Sequence, residues 1–163
     1  MKPAKPKSAL EFVLKSLIPY SHENLMLTFK PAQFFNELEK ISKYKRKTLE
    51  AATRRARERG LIEQSHDLQL RLTALGRRTA LPYTAQRLPR NARLMVIFDV
   101  PEDRATARQQ FRRLLRKWQF EQIQKSVWES NYDHRESIKL AIEELGLDGC
   151  VELHESLLLY PLK

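Results

Sequence analysis

The chain has 163 residues, 42% of them hydrophobic, and a formal net charge of +10. That length admits one large domain or two small ones, and no apolar run approaches the ~18 residues that a membrane-spanning helix needs. The basic stretch Met1–Lys7 is followed by no apolar segment of the secretory type. The single cysteine, Cys150, excludes an internal disulfide and fits a cytoplasmic setting.

The charge is unevenly spread. Residues 1–92 hold 19 Lys/Arg and 8 Asp/Glu, a balance of +11, whereas residues 93–163 hold 11 and 12, a balance of −1. A basic half joined to a neutral one points to a polyanionic partner for the basic half.

Leu10, Val13, Leu14, Leu17 and Ile18 recur at helical spacing, which predicts a helix over Ser8–Tyr20. Ser8 suits its N-cap, with Glu11 completing a capping box. Pro31 suits the first turn of a second helix, whose apolar stripe is Phe34, Phe35, Leu38 and Ile41. Ser42-Lys43 makes a break, and Ser42 is able to cap the next helix. That third helix is predicted over Tyr44–Arg59. Its inward face is small, with Leu49, Ala52 and Ala56 beside Thr48 and Thr53. Its outward face carries Arg46, Glu50, Arg54 and Arg57, flanked by Lys47 and Arg55. Small inward residues allow close helix packing, while long basic residues outside can reach phosphates and base edges in a major groove. Lys43, Lys45, Arg46 and Lys47 crowd the N-terminus of this helix against its dipole, a cost that a polyanion would offset.

Gly60 is expected to end this helix. Leu61–Glu63 and the alternating Leu68–Leu72 then predict two strands joined by a turn at Ser65-His66-Asp67, and Thr73–Arg78 predicts a short capped helix. The ordered series of helix, Pro-led helix, basic helix, "RERGLIE", hairpin and "RLTALGRR" resembles the bacterial winged-helix regulators over residues 8–80.

Ala80–Arg90, with Pro82 and Pro89, is predicted to be an ordered or semi-stiff linker. The continuous apolar run Arg93–Pro101 fits a strand buried on both faces or against a dimer partner. Arg104–Trp118 is predicted helical, with Phe111, Leu114, Leu115 and Trp118 inward and Arg108, Arg112 and Arg116 along another face. Phe120–Tyr132 predicts a strand pair or one bent strand. Asp133, with Glu136, is expected to cap a second helix whose stripe is Ile138, Ala141, Ile142 and Leu145. Val151–Glu155 and Leu157–Tyr160 predict closing strands. The order β-α-β-β-α-β is the ferredoxin-like plan.

The segments "LMVIFDVPED", "FRRLLRKWQF" and "IQKSVWES" resemble two related groups. One is the central domain of phenylacetate-catabolism repressors, the PaaX-like transcription regulators. The other is the small CRISPR-associated adaptation nuclease. Pro101-Glu102 after Asp99-Val100, Trp128 and the attached winged helix lean towards the regulators. Those repressors carry a further helical region after this domain, and the chain stops at Lys163, so no CoA-thioester effector is carried over. The resemblance to the nuclease implies that Asp99 could share a divalent metal such as Mg2+ with its symmetry mate. The residues themselves favour a strand-end carboxylate that caps or pairs with an arginine such as Arg104. His22, His66, His134 and His154 are scattered, without metal-site spacing to Cys150.

The expected architecture is α+β, with a winged helix-turn-helix over residues 1–80, a linker over 81–92 and a ferredoxin-like dimerisation domain over 93–163. The expected function is that of a DNA-binding regulator, a repressor acting as a homodimer on double-stranded DNA, without cofactor or membrane association. Lys43, Lys45, Arg46, Lys47, Arg54, Arg55, Arg57 and Arg71 are its DNA-contacting candidates. The alternative is a metal-dependent nuclease or structural adaptor of the CRISPR adaptation type. A protein-docking scaffold without nucleic acid is a third reading, separated by the salt sensitivity of phosphate contacts.

Overall fold

The computed structural model describes residues 8–18, 24, 33–64 and 70–159. Pro31, the Ser65-His66-Asp67 turn, Leu68, Gln69, His22 and Tyr160 lie outside the described residues. The chain divides into two compact units at Thr84–Ala85.

In the first unit, α1 (Ala9–Ser16) starts at the N-cap Ser8, whose hydroxyl accepts from the Glu11 amide at 3.2 Å. Helices α2 (Phe34–Ile41) and α3 (Arg46–Glu58) are joined by a four-residue turn. Val13 and Leu14 of α1 and Leu17 at its C-cap meet Phe34 and Leu38 of α2 and Leu49, Ala52 and Ala56 of α3 in one core. The small alanines let α3 approach its neighbours closely, as its composition predicts. Ser42 does not cap α3. It ends α2, and its hydroxyl accepts from the Tyr44 amide at 3.2 Å. The N-cap of α3 is Lys45, which makes no side-chain cap bond.

Helix α3 ends in a Schellman motif. Gly60, at φ +65°, donates to the Arg57 carbonyl and Leu61 donates to that of Ala56. Strands β1 (Ile62–Gln64) and β2 (Leu70–Leu72) then pair antiparallel, with Ile62 opposite Leu72. Helix α4 (Ala74–Ala80) comes immediately after β2. Its N-cap Thr73 accepts from the Gly76 amide at 3.0 Å and donates to the Gly60 carbonyl at 2.6 Å, so one hydroxyl ties the end of α3 to the start of α4. Gly76 is required sterically, because a Cβ there would collide with the Leu61 carbonyl oxygen. Together these elements form a helix-turn-helix with a two-stranded wing.

The predicted linker is divided between the units. Leu81–Tyr83 forms a 3-10 turn in the first, with Pro82 and Tyr83 buried. Burial and the neighbouring Glu11 push the Tyr83 hydroxyl pKa upward. Ala85 and Leu88 are buried in the second, where the Leu88 amide donates to the Asn131 carbonyl at 2.8 Å.

Among the described residues the second unit has four antiparallel strands: β3 (Ala92–Phe98), β4 (Glu121–Gln124), β5 (Val127–Ser130) and β6 (Val151–Leu157). They lie in the order β4-β5-β3-β6, with helices α5 (Ala105–Lys117) and α6 (Arg135–Leu145) as the crossovers. This is the ferredoxin-like topology. Leu94, Val96 and Phe98 alternate into the core with Trp128, Phe111, Leu115, Ile138 and Ala141, and Phe98 meets Phe111 edge-on at 5.4 Å. The closing segment is one strand among the described residues rather than two. It pairs continuously with β3 from Phe98↔Val151 to Ala92↔Leu157. The helix-capping prediction at Asp133 is corrected too. His134 is the N-cap of α6, Asp133 accepts from the Arg135 amide and guanidinium at 3.3 and 2.6 Å, and Glu136 pairs with Lys139. Among the described residues no helix is long and apolar enough to cross a membrane.

Candidate nucleic-acid interface

Helix α3 buries Leu49, Ala52, Thr53 and Ala56 and exposes nearly everything else. At about 100° per residue, Arg46, Glu50, Arg54 and Arg57 share one stripe, with Lys47 beside it. Arg55 lies roughly 80–100° further round, so it flanks the stripe rather than joining it. Thr48, expected near the inward face, is exposed. Lys43 and Lys45 sit in the turn before the helix and are exposed, with the Lys43 ammonium 5.4 Å from the Tyr44 ring. Arg71 is exposed in β2, opposite Glu63.

The first turn of α3 contains no acidic residue. Its free amides, the positive end of the helix dipole and the lysines before it therefore coincide at one place, an electrostatic arrangement suited to anions.

The cations are held differently. The Arg46 guanidinium donates to Glu50 Oε1 at 2.7 Å and to Asn36 Oδ1 at 2.8 Å. Arg54 faces Glu58 at 3.9 Å, with both side chains mostly exposed. Lys45 faces Glu39 at 3.9 Å. Ion pairs this exposed contribute little to stability, so these acids leave most of the cationic surface accessible. Sequence reasoning missed Asn36, because its partner lies on another helix.

Arg104, the N-cap of α5, and three arginines within the helix are engaged inside the second unit. Arg104 donates to the Gly146 carbonyl at 3.0 Å, and Arg108 to the Val100 carbonyl at 3.1 Å and to Glu102 at 2.8 Å. Arg112 donates to the Lys125 carbonyl at 3.1 Å and lies over the Phe98 ring. Arg116 lies over Trp128. They pin the loops around the sheet.

Asp99 stands just past the end of β3, exposed, with its amide donating to the Cys150 carbonyl at 2.9 Å. Among the described residues it makes no ion pair, and the expected partner Arg104 is engaged by Gly146 instead. The described residues contain no group of three or more His, Cys, Asp or Glu placed to hold a metal ion.

Residues 93–160 match the family described as the PaaX protein central Cas2-like domain. The match covers most of the second unit and is consistent with a transcriptional regulator. No curated protein and no solved structure matches the chain.

Proposed function

We propose that the protein is a DNA-binding transcriptional regulator, a repressor acting as a homodimer on double-stranded DNA. The observation that carries this reading is the exposed cationic stripe of α3. It lies on a helix whose opposite face is small and buried and whose N-terminus is uncapped by any acid. Lys43, Lys45, Arg46, Lys47, Arg54, Arg55 and Arg57 supply the helix contacts, and Arg71 supplies one from the wing. The match of the second unit to a domain of a regulator family supports the same reading.

The ferredoxin-like unit makes the dimer. Both helices cover one face of its sheet. Arg93, Met95, Ile97, Val127 and Glu129 remain half-buried on the other, a mixed apolar and charged surface suited to symmetric pairing. Two winged helices on one dimer then meet two half-sites of a two-fold operator.

Binding of the full chain to a random duplex pool at several salt concentrations tests the proposal. The double variant Arg54→Ala/Arg57→Ala is expected to lower affinity and to reduce the salt slope by up to about 2, at ~0.9 per lost phosphate contact. Its oligomeric state should not change. Undiminished affinity and slope in that variant would remove the interface assignment.

A further inference from the structure

The basic residues of α3 fall into two classes. Arg46 is held by acceptors from two helices, Glu50 one turn on and Asn36 across the turn, at 2.7 and 2.8 Å. Its side chain is nevertheless 49% exposed. A guanidinium has five N–H donors in a rigid plane, and two are engaged, so three remain for a ligand. Lys47 and Arg57 have no side-chain partner among the described residues, and Arg54 has only the loose contact with Glu58 at 3.9 Å.

These two states suit different tasks. A phosphate is a charge that a mobile cation can track, and such a contact carries no sequence information. A base edge must be met by donors in a fixed plane. Glu50 offsets the charge of Arg46 and so weakens its general pull on phosphate, but the direction of its free donors is set before DNA arrives. The ordering cost of a long side chain, normally incurred on binding, is met in folding. Arg46 is also the first residue of α3, and the N-terminal residues of a recognition helix are those presented to base edges.

We infer that Arg46 is the specificity-determining residue of α3, donating two N–H bonds to the O6 and N7 acceptors of one guanine, while Lys47, Arg54 and Arg57 hold phosphates. Asn36 is a positioning residue that fixes the plane of the Arg46 guanidinium. The inference rests on the DNA-binding reading above.

The test selects bound duplexes from a random pool with the full chain, with Arg46→Lys and with Asn36→Ala. It also measures affinity for the unselected pool against salt. Arg46→Lys keeps the charge and removes the planar fork. The wild-type preference for guanine at one position of the bound site should fall by about tenfold. Asn36→Ala should weaken that same preference and leave the other positions alone.

A motif unchanged in Arg46→Lys overturns the inference. So does an Arg46→Ala variant that keeps the wild-type motif and has a salt slope smaller by about one, the mark of a phosphate contact. Salt-dependent binding by the wild type without any selected motif overturns it while leaving the DNA-binding reading intact. A wild type that binds no duplex removes both.

Discussion

Acidification is predicted to destabilise the ferredoxin-like unit through His134. The ring is 1% exposed and lies 5.4–6.3 Å from the rings of Trp118, Phe120 and Tyr132. Burial pushes its pKa from 6.5 down to about 4, against the opposing pull of the Trp118 backbone and the Asp133 carboxylate. Between those two values the unfolded chain takes up a proton that the folded chain refuses. The stability contribution is therefore full above pH 6.5 and is lost as the pH falls towards 4. Linkage with these values gives a loss of about 2 kcal/mol at pH 5, rising to about 3 kcal/mol below pH 4.

Carboxylates titrate nearby, so the informative quantity is the difference between the wild type and His134→Phe. The chain has two tryptophans, Trp118 and Trp128, both in this unit. Their fluorescence during urea unfolding therefore reports on it selectively. The wild type should lose about 2 kcal/mol more than His134→Phe between pH 7.5 and pH 5. Equal losses in the two chains would refute the burial argument.

The first unit and Asp99 give rise to further predictions. Gly76→Ala should destabilise the winged helix by about 2–3 kcal/mol, because the new methyl meets backbone that cannot yield. Gly60→Ala meets open space and strains only a positive φ, at a cost of about 1 kcal/mol. Thermal unfolding monitored by helical circular dichroism compares them, and equal losses would contradict the steric account. Thr73→Val should cost about 1–2 kcal/mol in the same assay, since it removes the N-cap bond to Gly76 and the bond to the Gly60 carbonyl. Asp99→Ala should leave DNA binding unchanged, and the wild type should leave duplexes intact in magnesium. Cutting that disappears in Asp99→Ala would make the protein a nuclease.

The periodic features were legible in the amino-acid order. Spacing alone placed α1, α2 and α3, the Ala52/Ala56 face and the exposed stripe of Arg46, Arg54 and Arg57. The helix and strand order of residues 93–157 pointed to the ferredoxin-like plan. These features arise from backbone geometry, which repeats every 3.6 or 2 residues and imprints its period on hydrophobicity. The partners of individual polar groups were not legible. Ser42 could have capped α3 by type and position, but the turn directs its hydroxyl to the Tyr44 amide. Arg108, Arg112 and Arg116 share a face of α5 by spacing, yet Arg108 and Arg112 reach the Val100 and Lys125 carbonyls and Arg116 lies over Trp128. Arg46 and Arg54 share the stripe and each has a glutamate four residues on, but Arg46 meets Glu50 at 2.7 Å and Asn36 of α2 at 2.8 Å, while Arg54 only faces Glu58 at 3.9 Å. A sequence specifies which side chains share a face, because that is a local property of the helix. Which of them is held still depends on groups brought near by the fold.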